Sequence, residues 1–406
     1  MDSSAPGQVL MARQPIFDSG QKVIAYELLY RNDQDTEQAV FRDASATIEV
    51  LLNAYTCISD AGSVKRVPAF INISEEMLLS GDFPDLPRKQ VVIEIPETVT
   101  PSPKAIKAIL TLARDGYRLV LDNFTYSEAY DPLLKVVQMV KVDVSQLNNE
   151  ELTSCLSRLR FFKVTPVAVK IESSEKLLFC SQLGFKLFQG HFLSRPKLVK
   201  GKKLEANAAT LMQLVQAVNS PDATPEDLES LIIQDPVLTF KMLRIVNSAA
   251  YSLVRRVESI TDAVVLLGME QIRRWVTLIS MTSQDDKPEE LCRMLLIRGA
   301  MCEALAKATN ERNVGSYFMT GMMSGLHALL DIDQATLLEQ VPLATDIQDA
   351  LRDYAGPIGE TLKAVIAYET GNWNELPLDM DIDLYESAYR HSLQWTQESM
   401  QAMHDS

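Results

Sequence analysis

The feature that most limits how this chain can fold is a change of texture near Pro196. Before it, eight short apolar runs recur: VLMARQPIF, KVIAYELLY, AFINIS, VVIEIPE, YRLVLDNF, MVKVDV, PVAVKIE and KLFQGHF. Beyond it these β-rich runs disappear. Eight such runs in roughly 190 residues, with helical stretches between them, predict an α/β domain of the (β/α)8 barrel type. Only Asp18-Ser19-Gly20-Gln21 separate the first two runs, too few for a crossover helix. Those two strands must pair antiparallel, while the later ones are spaced for parallel βα units. Segments 101–116 and 174–184 carry the helical period and end at Gly116 and Gly184, where C-terminal glycines belong.

The basic, polar stretch KLVKGKKLEAN after Pro196 reads as a domain connector. Past it, residues 204–219, 226–234, 236–247, 261–267, 269–283, 288–309, 313–330 and 345–368 read as helices. Ser220-Pro221, Thr224-Pro225, Asp235-Pro236, Gly268 and Gly315 punctuate them. The second half is therefore expected to be all-α. The expected division is a tail over 1–8, a barrel over 9–200, a helical domain over 201–395 and a tail over 396–406.

Charge narrows the functional classes. With 39 Lys+Arg against 54 Asp+Glu, the 406-residue chain carries −15 at pH 7. Such a surface repels phosphate backbones and anionic lipid, which argues against nucleic-acid or membrane binding. A small anion held by a local basic group remains compatible. The five cysteines are dispersed, with no CxxC pair, and read as buried reduced thiols. No basic-then-apolar leader and no run of about 18 apolar residues is present. The expected location is the cytoplasm.

In a parallel barrel, reactive groups sit at the C-terminal strand ends. Glu27, Asn72, Glu94, Asp122, Lys141 and Gln189 lie near those ends. Carboxylates and an amide are hard oxygen donors suited to Mg²⁺ or Mn²⁺ rather than zinc, and a lysine beside them suits a phosphodiester. The same groups could instead satisfy one another and the loop backbone. Spacing alone leaves both readings open.

The motifs resolve this. RQPIFDSGQKVIAYELLYR at 13–31 resembles the opening of the EAL domain, the family that hydrolyses cyclic di-GMP. Its signature reads Glu27-Leu28-Leu29 here, followed by Arg31 and preceded by Gln14-Pro15-Ile16. INIS, VIEIPET, Asp122-Asn123-Phe124, Lys141-Val142-Asp143 and FQGHFLSRP follow in the family's order. The resemblance implies one metal site of Glu27, Asn72, Glu94 and Asp122, holding Mg²⁺ or Mn²⁺. It also implies a loop-stabilising role for Glu97 and ligand contacts from Gln14, Leu29, Arg31 and Gln189.

The departures point away from turnover. The second aspartate of the family's pair, a ligand of a second metal, is Asn123. The general-base glutamate falls at Val169 in AVKIE, although Lys141 is retained. The loop after the aspartate pair reads Thr125-Tyr126-Ser127 instead of glycine-threonine-glycine. An amide lacks the charge that holds a dication, and a valine cannot accept a proton. The expected catalytic set is therefore empty, and the expected function is a signalling scaffold whose degenerate barrel senses, or once sensed, cyclic di-GMP without hydrolysing it; a purely structural adaptor with an empty barrel is a further reading. The alternative is a weakly active phosphodiesterase regulated by its second half.

QDPVLTFKMLRIVNSAAYS and SITDAVVLLGMEQIRRWV are similar to the HDOD domain, a relative of HD phosphohydrolases. Where HD enzymes carry their metal-binding pair, this chain has Ser324-Gly325, with His327 the histidine nearby. The resemblance implies a protein-interaction module. Met319, Met322 and Met323 are expected in its core, and Arg255-Arg256 and Arg273-Arg274 at solvated helix ends. EAL domains often dimerise, so the resemblance also implies a homodimer.

Overall fold

The computed structural model describes residues 9–32, 67–80, 83–191, 215–220, 222–233, 236–247, 260–282, 288–330, 332–341, 343–378 and 380–404. The chain divides into two units. One consists of Met1–Asp60, Val64–Leu193 and Tyr368–Asn374, the other of Ala61–Ser63, Ser194–Ala367 and Glu375–Ser406.

In the first unit, each apolar run of the sequence forms a strand: β1 (Val9–Asp18), β2 (Val23–Asn32), β3 (Ala69–Asn72), β4 (Val91–Ile95), β5 (Arg118–Leu121), β6 (Met139–Asp143), β7 (Thr165–Val169) and β8 (Leu187–Phe188). They close into a barrel in sequential order. β1 runs antiparallel to both β2 and β8, and every other neighbouring pair is parallel. The expected α/β barrel with one antiparallel strand is thus present. The connector at 197–203 lies outside the described residues.

The intervening helices are α1 (Glu75–Ser80), α2 (Pro103–Arg114), α3 (Asp131–Leu134), α4 (Asn149–Leu159) and α5 (Ser174–Leu183). Local chemistry starts them. Ser102 caps α2 by accepting from Ala105 N, with Pro103 fixing the first helical residue. Asn148 and Glu151 form a reciprocal capping box on α4. Gly184 ends α5 at φ 111°, a left-handed angle open to glycine.

Alternate side chains along each strand face the barrel axis. Ile16, Ala25, Phe70, Val92, Val120 and Val167 pack there as an apolar inner layer, with Met139 and Leu187 against it. The opposite faces join the helices in a larger core that includes Leu28, Ile71, Ile93, Leu121, Val142 and Phe188. Residues two places nearer the mouth than the inner layer share its face. They are Gln14, Glu27, Asn72, Glu94, Asp122, Lys141, Val169 and Gln189, so period two alone stacks the polar set on an apolar floor.

The second unit is helical among its described residues: α6 (Pro225–Ile233), α7 (Pro236–Val246), α8 (Ile260–Thr282), α9 (Glu289–Ala308), α10 (Val314–Met323), α11 (Leu326–Leu330), α12 (Gln334–Gln340), α13 (Thr345–Asp353), α14 (Gly356–Glu369) and α15 (Ile382–His404). Two single helices of the sequence reading are each two. The helix expected over 313–330 breaks at Ser324-Gly325. The helix expected over 345–368 breaks at Tyr354, which sits at φ 55°. The expected domain end at 395 falls inside α15, where Thr396, Ser399 and Met400 are buried.

A backbone-to-backbone contact joins α9 and α10. A Cβ on Gly321 would lie 2.7 Å from Gly299 Cα. Nearby, Trp395 packs at a tilt against Trp275 and edge-on with Phe318, each at 5.7 Å between ring centroids. Arg274 is not a solvated helix-end charge. It is buried, its guanidinium carbon 3.2 Å from the Phe318 ring centre and its Nη2 2.5 Å from Glu303 Oε2. Arg273 Nη2 donates to the Ser220 and Ala223 carbonyls. Asp235, Ser248 and Arg255-Arg256 lie outside the described residues.

Met322 and Met323 are in the core. Cys155, Cys180, Cys292 and Cys302 are buried, as expected, and Cys57 lies outside the described residues. Among the described residues no helix is long and apolar enough to cross a membrane.

Candidate functional site at the barrel mouth

Lys141 organises the mouth. Its Nζ lies 2.7 Å from Glu27 Oε2 and 2.5 Å from Glu94 Oε1, with Lys141 and Glu94 almost wholly out of solvent. Glu27 is held from further sides. Asn72 Nδ2 donates to its Oε1 at 2.9 Å and Gln189 Nε2 to its Oε2 at 2.6 Å. Gln189 Nε2 also donates to Gln14 Oε1 at 2.8 Å. Five strands, β1 to β4 and β6, together with the turn after β8, therefore supply one connected network. Behind Asn72, its carbonyl accepts from Tyr30 Oη at 2.8 Å.

The two glutamates differ although they share one lysine. Burial pushes the Glu27 carboxyl upward, but the Lys141 charge and three hydrogen bonds outweigh it and hold the group below its ordinary value. Glu94 lies well above its ordinary value, because burial and the Glu27 charge together exceed what Lys141 returns. Neither Glu94 oxygen accepts a directed hydrogen bond, and Gln189 Oε1 also has none. Asp122 is raised by burial, with Lys141 opposing and Glu27 adding. Lys141 is raised in turn: burial works against its charge, and Glu27, Glu94 and Asp122 overcome that.

These donors have the chemistry of one Mg²⁺ or Mn²⁺ site, and the unsatisfied Glu94 Oε2 is an acceptor that a cation would complete. Their placement is less open. Among the described residues no three His, Cys, Asp or Glu side chains group as a metal site. The Lys141 ammonium already occupies both glutamates, so an ion would compete with it for the same oxygens.

The departures also have a structural setting. Asn123, at φ 43°, turns its amide to Glu97 and donates to Glu97 Oε2. Val169 is a member of the apolar inner cluster. Leu29 is half-buried on β2. Arg31 pairs with Leu10 across β1 and β2, and its side chain lies outside the described residues.

One pair was not assigned from the sequence. Asp143 follows Lys141 by two on the same face of β6, accepts from Ser145 N and Oγ, and lies 2.7 Å from Lys170 Nζ. The period-two signal that marks Lys141 marks Asp143 too.

In the helical unit, Ser324 accepts from the buried Arg298 Nη1 at 2.8 Å and donates to Gly321 O at 2.7 Å. A guanidinium thus stands where a metal pair would otherwise fall.

Residues 2–196 match the EAL domain and residues 204–367 match the HDOD domain. The chain belongs to the EAL family, in the form that carries an HDOD domain after the barrel. Over 403 residues it is 30% identical to the cyclic di-GMP phosphodiesterase CdgJ of Vibrio cholerae, covering 96% of this chain and 92% of that protein. It is 28% identical over 407 residues to the uncharacterized protein YuxH of Bacillus subtilis, covering 97% of this chain and 100% of that one. Among solved structures, the EAL domain of FimX from Pseudomonas aeruginosa bound to cyclic di-GMP matches 46% of this chain and 88% of its own, at 20% identity and a TM-score of 0.35.

Proposed function

We propose that this protein is a signalling scaffold that binds cyclic di-GMP at the barrel mouth without hydrolysing it, and passes the signal to a protein partner through its HDOD domain. The observation that carries this reading is Val169. Its side chain sits in the apolar inner cluster at the strand end where a proton acceptor would be needed, and losing a general base costs about 10²–10⁴ in rate.

Asn123 adds to this, since its neutral amide is bound to Glu97. Gln14, Leu29, Arg31 and Gln189 are the proposed ligand contacts. At most one Mg²⁺ or Mn²⁺ is proposed, held by Glu27, Asn72, Glu94 and Asp122. A single ion can orient a phosphate but cannot clamp both attacking and leaving oxygens. The proposed domain boundary is near residue 200, with α15 belonging to the helical domain, and a homodimer is the proposed assembly.

A second reading is favoured by one finding. CdgJ, alike along nearly the whole chain, bears the name of a phosphodiesterase. In that reading this protein is a slow enzyme. Calorimetric titration with cyclic di-GMP, with Mg²⁺ or Mn²⁺ and with chelator, paired with chromatography of the reaction mixture, separates the two. Heat of binding with intact ligand supports the scaffold. A linear dinucleotide above a metal-only control supports the enzyme, and absence of binding refutes both.

A further inference from the structure

Lys170 follows β7 directly, and its backbone is at φ 58°. A lysine gains nothing from that left-handed region, which glycine enters freely. Residues held there persist where the surroundings over-determine them, commonly at binding sites. Here the side chain is what gains. Its Nζ lies 2.7 Å from Asp143 Oδ2, yet the side chain remains 63% exposed while that of Asp143 is 5% exposed. Asp143 pairs with Val169 across β6 and β7 and stands two residues beyond Lys141, about 6.6 Å nearer the mouth. The turn therefore carries an ammonium to the rim, one layer above the buried Lys141.

The charge balance explains why a cation there matters. Glu27, Glu94, Asp122 and Asp143 share this end of the barrel, and Lys141 is sealed beneath it. An anion arriving at the rim meets carboxylates, whereas Lys141 is already committed to two of them. Asp143 does not depend on Lys170 alone, because Ser145 gives it two further hydrogen bonds. The lysine can thus exchange Asp143 for a phosphate oxygen without leaving a buried carboxylate bare.

We propose that Lys170 is a phosphodiester-binding residue of the barrel mouth, parked on Asp143 until the ligand arrives. This rests on the reading of the mouth as a cyclic di-GMP site.

The test is calorimetric titration of the full chain with cyclic di-GMP in Mg²⁺ buffer, for wild type, Lys170→Gly, Lys170→Arg and Asp143→Asn. Loss of a charge-assisted contact should weaken the Gly variant about tenfold or more, while its thermal midpoint holds or rises because glycine suits φ 58°. The Arg variant should retain binding, and Asp143→Asn should bind as well as wild type or better, since its lysine is released. Unchanged affinity in Lys170→Gly overturns the assignment. So does an equal loss in Lys170→Gly and Asp143→Asn accompanied by lowered midpoints, the pattern of a structural tether. Failure of the wild type itself to bind refutes the cyclic di-GMP reading first, and Lys170 with it.

Discussion

Replacing Lys141 by methionine keeps an unbranched side chain one atom shorter and removes the charge that two buried glutamates share. Breaking a buried ion pair from one side typically costs about 3–5 kcal/mol. Two features of the mouth place this case near the lower end. Glu94, already raised by burial, can take a proton, and Glu27 keeps hydrogen bonds from Asn72 and Gln189. A loss of about 3 kcal/mol lowers the melting temperature of a domain this size by about 6–12 °C.

The sign with pH follows from the carboxylates. In wild type the depressed Glu27 contributes stability above its ordinary value and loses it as the pH falls through the folded-state value. In Lys141→Met both glutamates are raised by burial, so the variant is favoured at acid pH and loses stability as pH rises. The gap between the two proteins should therefore narrow towards pH 5 and widen towards pH 8. Thermal melts followed by circular dichroism across that range read it directly. A variant that melts with wild type at pH 7, or a gap that widens on acidification, would refute the picture of Lys141 as the shared counter-ion.

Restoring Asn123→Asp together with Val169→Glu is the smallest change expected to yield any linear dinucleotide, with neither single variant sufficing because such groups act as a unit; activity in either single variant counts against this. Gly321→Ala should destabilise the helical unit by about 1–3 kcal/mol, since its methyl would press on Gly299 Cα of α9. Urea unfolding checks it, and cyclic di-GMP affinity should not change. Glu303 is held below its ordinary value: burial pushes it up, and Arg274 and Lys307 more than reverse this. Its contribution is present above the usual carboxylate value and lost as pH falls, so the stability difference between wild type and Glu303→Gln should shrink between about pH 5 and pH 3.

The barrel was legible because its signals are local. Each strand is a short apolar run, and the four-residue gap at Asp18–Gln21 permits only a hairpin. The site was legible for the same reason, since period two carries the inner face from Ala25 to Glu27 and from Val92 to Glu94. The helical breaks were less legible. Across 313–330 the apolar residues resume directly after Ser324-Gly325, a weak local signal, and the turn there is tied to α9. A Cβ on Gly325 would lie 2.4 Å from Leu295 Cδ2, a contact between residues thirty positions apart. Tyr354 itself holds a left-handed angle that its own type does not favour, although the Gly356-Pro357 pair two residues on is a turn signal that marks this break. Arg274 looked like an ordinary surface charge because its partners, Glu303 and Phe318, lie on other helices.

The reversed first strand gives the barrel an unusual wiring. In a fully parallel barrel the chain enters at the face opposite the pocket. Here β1 runs against its neighbours, so Val9 stands at the pocket face and the Asp18–Lys22 hairpin at the other end. Anything joined ahead of Val9 thus leaves from the mouth side of the barrel, five residues past Gln14, whereas a label placed in the hairpin sits at the opposite end, about 30 Å from Val9, the length of a ten-residue strand. The topology therefore supplies two attachment points of opposite character: one where a fused sensor would feel the pocket fill, and one where a fluorophore could watch without touching it.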